Sequence, residues 1–147
     1  MLQDLSKYPR IRISRLNKLV TFSVSKAFQD QGYAVSNEQE VILRSLRNFG
    51  KMSITELSGY TGQDRHNLSR TLALLERKGY VRKVSSEIDK RYCEVTITPE
   101  GEAVHERLWQ ILEDWRKKTF AGISLEDLEQ FSKTAEAIMN NIKQEYQ

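Results

Sequence analysis

A stripe of three leucines constrains the fold of this chain more than any other feature, because it decides which face of one helix must be buried. Leu68, Leu72 and Leu75 follow the i, i+4, i+7 spacing of a single helix face. Asp64 stands just ahead of the stripe, where its carboxylate can cap the first turn. We therefore predict a helix over Asp64 to Lys78 whose leucines enter a core and whose polar residues face outward.

A second, shorter helix and a turn precede this one. Ser53 followed by Glu56 forms a capping box, and the run Tyr60-Thr61-Gly62-Gln63 breaks the helix that they open. Two helices joined by a turn of about four residues that contains glycine are typical of a helix-turn-helix. Another capping box, formed by Ser36 and Gln39, begins a further helix upstream.

After position 79 the apolar period changes from that of a helix to that of a strand. The alternating apolar residues are Cys93, Val95 and Ile97. Residues from Val81 to Val84 can form the partner strand, and those from Ser85 to Arg91 can form the polar connection. The sequence thus predicts a β-hairpin with a charged tip, a wing beside the helix-turn-helix.

Long helices flank this central unit. Apolar residues recur at helical spacing from Ile11 to Phe28, Thr98 can cap a helix with Pro99 at its first position, and Ser124 can cap the last helix. A chain of 147 residues suits one domain and is short for two. We predict a single domain, 1–147, that is mainly α with a small β-hairpin. Its winged helix-turn-helix lobe covers about 37–98, and its helical dimerisation lobe covers about 5–32 and 99–145.

The outer helices carry more apolar surface than one small helix-turn-helix unit can cover. Their large aromatic residues are Phe22, Phe28, Trp109, Trp115, Phe120 and Phe131. We predict that the N- and C-terminal helices cover this surface by dimerisation with a second copy of the chain. An intramolecular helical core is the alternative.

Basic residues concentrate in the helix-turn-helix and the wing. From Asp64 to Arg91 there are eight basic and four acidic residues, whereas six basic and ten acidic residues follow from Glu100 to the end. The central part should therefore attract polyanions, and the C-terminal part should not.

The helix that begins at Asp64 presents side chains suited to reading DNA. The outward residues near its amino end are Arg65, His66, Asn67, Ser69 and Arg70. In the major groove arginine can pair with guanine and asparagine with adenine, while serine can bond to phosphates or bases. We predict that these five residues contact double-stranded DNA. A polar helix face that is merely solvated is the alternative.

The wing tip carries cations of its own. Lys90 and Arg91 stand on the projecting hairpin beside Asp89, and an arginine in such a place suits a narrow minor groove. An isolated acid would repel DNA. We therefore interpret Asp89 as a support that pairs with Arg91 and orients it.

Three motifs in this order resemble those of the MarR family of bacterial and archaeal regulators. The reading helix ends in Leu74-Leu75-Glu76-Arg77-Lys78-Gly79-Tyr80-Val81, the wing holds Asp89-Lys90-Arg91, and a closing segment reads Ile97-Thr98-Pro99-Glu100-Gly101. These runs are similar to the family patterns L-E-x-K-G-[LY]-[VI], D-x-R and L-T-x-x-G, with isoleucine for leucine in the last. The resemblance is good from about Asn37 to Arg107 and covers the outer helices only in arrangement.

The resemblance implies a winged-helix homodimer in which the first helix and the last two helices of each subunit interlock, with Arg91 entering the minor groove. It also implies a small-molecule effector or an oxidant that releases the protein from DNA. Two identical reading helices would meet major-groove segments about 34 Å apart, so we expect a roughly palindromic target.

The predicted function is accordingly that of a sequence-specific transcription regulator, and by resemblance a repressor. The alternative, of another class, is a winged-helix module that binds proteins and does not discriminate between DNA sequences.

Other chemistry receives little support from the residues. One cysteine, with His66 and His105, is too few for a zinc cluster or a disulfide framework, and no nucleophile is paired with a base, so we expect no metal, no cofactor and no enzyme activity. Cys93 shares a strand face with Val95, and we interpret it as a buried, inert thiol rather than a redox sensor. No long apolar stretch predicts a membrane span or a leader, so we expect a cytoplasmic protein.

Overall fold

A computed structural model describes residues 7–85 and 93–146. Within them six helices and three strands follow in chain order: α1 (Pro9–Asp30), α2 (Asn37–Phe49), β1 (Met52–Ser53), α3 (Ile54–Thr61), α4 (Arg65–Arg77), β2 (Val81–Ser85), β3 (Cys93–Ile97), α5 (Pro99–Thr119) and α6 (Leu125–Tyr146). The predicted fold class, mainly α with a small β-hairpin wing, is confirmed. The wing tip with Asp89, Lys90 and Arg91 lies outside the described residues.

The chain divides into two compact units. The first extends to Trp115 and holds the helix-turn-helix, the sheet and most of α5, while the second begins at Arg116 and consists mainly of α6. Within the second unit the hydroxyl of Ser124 accepts the backbone N–H of Asp127 at 3.0 Å. The predicted cap of the last helix is therefore present. No described helix has the length and apolar character needed to cross a membrane.

Serine capping boxes begin α2 and α3, as predicted. In α2 the hydroxyl of Ser36 accepts the backbone N–H of Gln39, and the Gln39 side chain accepts that of Ser36, both at 3.2 Å. In α3 the Ser53 hydroxyl accepts the N–H of Glu56 at 3.2 Å, and the Glu56 carboxylate accepts the N–H of Ser53 at 2.7 Å. The latter bond is the main reason why the pKa of Glu56 is lowered. The caps fix where the first helix of the helix-turn-helix begins.

The turn between α3 and α4 starts slightly later than predicted. The helix continues through Tyr60 to Thr61, whose hydroxyl donates to the carbonyl of Leu57 at 2.7 Å. The chain then reverses at Gly62, where φ is 72°. Glycine suits this left-handed conformation because it carries no Cβ.

Two other helix ends and one burial assignment also differ from the sequence-based predictions. Helix α1 extends beyond the predicted limits of Ile11 and Phe28 at both ends. Cys93, which we expected to be buried, is only partly buried. It is the first residue of β3, next to the wing tip, so less of the core covers it than covers Val95.

The sheet is antiparallel, with β3 between β1 and β2. Val81 lies opposite Ile97 in the hairpin, and Met52 lies opposite Val95 on the other side of β3. The hairpin was predicted, whereas β1 was not. A strand of two residues has no alternation that a sequence pattern could reveal.

The core of the first unit forms around the leucine stripe of α4. Leu68, Leu72 and Leu75 are completely buried. Their completely buried neighbours in the same cluster include Ile42, Leu43, Leu46, Val95 and Leu108. The leucine face of α4 thus belongs to one buried core with residues of α2, β3 and α5, and its opposite face is left to solvent.

The first turn of α5 packs closely against Tyr80, in the connection between α4 and β2. The backbone N–H of Thr98 donates to the carbonyl of Tyr80 at 3.0 Å, and the Thr98 hydroxyl accepts the N–H of Gly101 at 3.1 Å. A Cβ at Gly101 would come within 2.1 Å of that same Tyr80 carbonyl. Only glycine fits there, which gives a steric reason for the Thr-Pro-Glu-Gly sequence of this segment.

Candidate nucleic-acid interface

Helix α4 separates its side chains into a buried and an exposed set. The leucine stripe is buried, whereas the five residues predicted to meet DNA, Arg65, His66, Asn67, Ser69 and Arg70, are all exposed. The structure therefore brings these five together on one surface near the amino end of α4. Their contacts with DNA stay a prediction.

Asp64 caps α4 and also holds one of the exposed residues. Its Oδ1 accepts the backbone N–H of Asn67 at 3.0 Å, and its Oδ2 accepts the side-chain Nδ2 of Asn67 at 2.6 Å. The backbone bond from Asn67 is the main cause that lowers the pKa of Asp64. The capping carboxylate thus stays ionised through the neutral range and orients the amide next to it.

Arg65 is held by the other helix of the helix-turn-helix. Its guanidinium donates to the hydroxyl of Thr55 on α3, and both residues are exposed. Arg70 makes no hydrogen bond or ion pair within residues 7–85 and 93–146. The exposed surface of α4 therefore combines preset side chains with an arginine that can turn towards a partner.

Lys78 fixes the far end of α4. Its ammonium donates to the carbonyl of Ala34, in the loop between α1 and α2, and lies 3.5 Å from Oε1 of Gln39. Burial lowers the pKa of Lys78. This lysine belongs to the motif that resembles the MarR pattern, and although the residue is exposed, its ammonium is bonded to the loop between α1 and α2.

The wing leaves the core next to α4. In β2, Arg82 is exposed and Lys83 lies 3.9 Å from the carboxylate of Glu76 on α4. The last described pair of the hairpin is Ser85 opposite Cys93. Beyond it the predicted wing residues Asp89, Lys90 and Arg91 lie outside the described part, so their roles stay predictions.

A polar cluster that the sequence analysis missed lies between α2 and α5. Only 2% of Glu40 and 4% of His105 is exposed, and Nε2 of His105 lies 3.6 Å from Oε1 of Glu40. Arg47 approaches Nδ1 of His105 at 3.1 Å, and Arg44 approaches the other oxygen of Glu40 at 3.6 Å. The ring of Trp109 stacks on that of His105, with centroids 6.3 Å apart.

The chemistry of arginine fixes the tautomer of His105 in this arrangement. A guanidinium can only donate, so Nδ1 must accept from Arg47 and the proton must be on Nε2, which faces Glu40. At 3.6 Å the two facing atoms are beyond a normal hydrogen bond, and both are buried without another partner. Because Glu40 is on α2 and His105 is on α5, this contact links the two helices.

The periodicity of α5 contained a clue to this cluster. Gly101, His105, Leu108 and Leu112 are all buried, and they recur at the i, i+3, i+4 spacing of one helix face. The position of His105 in that stripe indicates burial, although its sequence neighbours Glu102 and Glu106 are charged. Nor do three His, Cys, Asp or Glu side chains come together as a metal site would need in the parts of the chain described here.

Comparison with known proteins agrees with the geometry. Residues 29–91, which include the helix-turn-helix, match the model of the MarR family. The chain is similar to the HTH-type transcriptional regulator PapX of Escherichia coli, with 26% identity over 117 residues, 80% of this chain and 71% of PapX.

Solved structures share the fold over nearly the whole chain. One is BpsR of Bordetella bronchiseptica, from work on the regulation of its DNA binding by 6-hydroxynicotinic acid, with a TM-score of 0.83, 19% identity and coverage of 95% of this chain and 98% of BpsR. Another is a mutant MarR of Escherichia coli complexed with operator DNA, with a TM-score of 0.79, 20% identity and coverage of 91% and 96%. The predicted winged helix-turn-helix fold is confirmed by these likenesses.

Proposed function

We propose that this chain is a MarR-family transcription regulator, a repressor that binds a pseudo-palindromic operator as a homodimer. The observation that carries the proposal is the division of α4, whose leucines are buried while its five polar residues near the amino end are exposed together. A helix held in this way can enter the major groove without disturbing the core. Such a regulator acts in the cytoplasm.

The exposed residues of α4 differ in the DNA groups that they can bind. Arg65 and Arg70 suit guanine edges or phosphates, Asn67 suits adenine, and His66 and Ser69 supply further hydrogen bonds. On the wing we assign the minor-groove contact to Lys90 and Arg91, with Asp89 as their support. This assignment rests on the positions that match the family pattern.

The homodimer is supported by apolar surface that each unit leaves uncovered. On α1, Leu19 is 63% and Phe22 67% exposed, and on α6 Leu125 is 79% and Phe131 56% exposed. Apolar surface on this scale marks an interaction site in a soluble domain. In the proposed homodimer a second copy of the chain covers the apolar residues of α1 and of α6.

The signal that releases DNA is a small molecule in this proposal. Its support is the structural likeness to BpsR, whose DNA binding is regulated by 6-hydroxynicotinic acid. The sequence carries no motif for the corresponding ligand, so we name the class of effector and no lining residue.

Selection of bound fragments from genomic DNA tests the proposal directly. We expect enrichment of a roughly palindromic sequence whose half-sites lie about one helical turn apart. Affinity for it should fall steeply as salt rises, because phosphates neutralised by the protein release counterions. Failure to enrich any palindrome would favour the protein-binding module instead.

The wing assignment has a separate test. Replacing Arg91 by Ala should weaken operator binding by about 1–3 kcal/mol, the range expected for a specific groove contact. The measurement is a titration of labelled operator with wild type and variant at one salt concentration. Equal affinities would remove Arg91 from the proposed interface.

A further inference from the structure

Two hydrogen bonds join Asn67 to Asp64 at the exposed amino end of α4. The backbone bond, at 3.0 Å, is an ordinary helix cap. The second, from Nδ2 of Asn67 to Oδ2 of Asp64 at 2.6 Å, is not needed for capping. It acts instead on the orientation of a side chain that is aimed at solvent.

The chemistry of the two groups permits one orientation of the amide. A carboxylate only accepts hydrogen bonds, so Asn67 must turn its Nδ2, and not its Oδ1, towards Asp64. The bond uses one of the two amide hydrogens. The other hydrogen and Oδ1 form the donor and acceptor pair that complements N7 and the amino group of adenine.

We propose that Asp64 is a positioning residue for base readout, which fixes the carboxamide of Asn67 before DNA is bound. The role rests on the proposed function, in which Asn67 reads a base. An amide that is already ordered loses less freedom on binding, and the ordering of one such side chain changes affinity by roughly 2- to 12-fold. Asp64 itself carries a negative charge that opposes the approach of phosphates. It therefore favours discrimination between sequences over general affinity for DNA.

The substitution Asp64→Asn separates these effects. Asparagine is as good a helix cap as aspartate, but it offers an amide nitrogen where Oδ2 stood. The second bond can then form only if the Asn67 amide turns over, which exchanges its donor and acceptor. The full-length variant and the wild type would be titrated by fluorescence anisotropy against the selected operator, a scrambled duplex and a set of operators with single base-pair changes. Thermal unfolding followed by circular dichroism checks that the variant folds.

We expect a local loss of discrimination. In Asp64→Asn the preference at one base pair of each half-site should fall roughly 2- to 12-fold, with the other positions unchanged. Affinity for the scrambled duplex should stay the same or rise, since a negative charge has been removed. Undiminished discrimination at every position would overturn the role of Asp64.

A double-substitution cycle with Asn67→Ala separates the positioning of the amide from the effect of the Asp64 charge on DNA binding. The loss of the Asp64 charge is the same whether residue 67 is Asn or Ala, whereas positioning requires the amide. Asp64→Asn should therefore change discrimination in the wild-type background and leave it unchanged in the Asn67→Ala background. An equal change in both backgrounds would overturn the proposal. A wild-type protein that prefers no sequence would refute the proposed function itself, and the role of Asp64 with it.

Discussion

Asp64 and Glu40 both place a carboxylate oxygen beside the nitrogen of another side chain, one on the surface and one in the core. Oδ2 of Asp64 lies 2.6 Å from Nδ2 of Asn67, and Asp64 is exposed. Oε1 of Glu40 lies 3.6 Å from Nε2 of His105, and only 2% of Glu40 is exposed. Water can replace the first contact at small cost. Nothing within the core can replace the second, because a buried polar group without a partner loses its hydration outright.

This difference separates the residues that hold the fold from those that can meet a partner. Polar groups on α4 contribute little to folding and are therefore available for recognition. The groups between α2 and α5 are committed to each other, and substitution there acts on stability first.

The largest expected effect is on stability, from His105→Ala. The substitution leaves the carboxylate of Glu40 buried without its facing imidazole and removes packing against Trp109. Loss of the partner of a buried polar group lowers the free energy of unfolding by about 1–3 kcal/mol, and by more where the remaining group is a carboxylate. Urea unfolding at one fixed protein concentration measures it, because a dimer's apparent stability depends on concentration.

The chain supplies its own control for this experiment, since its other histidine, His66, is exposed. His66→Ala should change the free energy of unfolding by no more than about 0.5 kcal/mol. Equal losses of stability in the two histidine variants would contradict the contrast between buried His105 and exposed His66.

Replacing both members of the buried pair tests the same contrast between core and surface, and we expect a smaller change in the free energy of unfolding. Replacing Glu40 by Leu and His105 by Phe together removes both polar groups and keeps most of the volume. Exchanges of this type are often neutral or stabilising, so the double variant should unfold within about 1 kcal/mol of the wild type. A double variant less stable than His105→Ala would show that the polar pair contributes more than its packing.

The sequence predicted the exposed region better than the buried one, for a physical reason. Caps such as Ser36 and Asp64, and the leucine stripe of α4, act locally, so their spacing along the chain is enough to find them. The contact between Glu40 and His105 joins residues that are 65 positions apart, and only packing of α5 on α2 brings them together. Likewise, strand β1 exists because β3 offers its second edge, and no pattern within Met52–Ser53 predicts it.

The opposite signature, a loss of binding without a loss of stability, is expected for Asn67→Ala. If Asn67 reads a base as proposed, operator affinity should fall by about 1–3 kcal/mol. The free energy of unfolding should change by about 0.5 kcal/mol or less, because the side chain is exposed. Anisotropy titrations and urea unfolding on the same preparations give both quantities. Asn48→Ala, at an exposed asparagine of α2, is the matched control and should leave both unchanged.

The smallest expected effect is the dependence of the Asp64 cap on pH. Its hydrogen bonds with Asn67 lower the pKa below the ordinary value of 3.8, so the folded state favours the ionised carboxylate. The resulting stabilisation is complete above the pKa of the unfolded chain and is lost as pH falls through the lower pKa of the folded one. Asp64→Asn has no such proton to bind, which isolates this group from Glu56 and the other acids. The melting temperature of the wild type relative to Asp64→Asn should therefore be constant from pH 7 to about 5 and decline below about pH 4. A difference that grew on acidification would mean that the carboxylate is destabilised in the fold, and that it does not hold Asn67 in the way the structure shows.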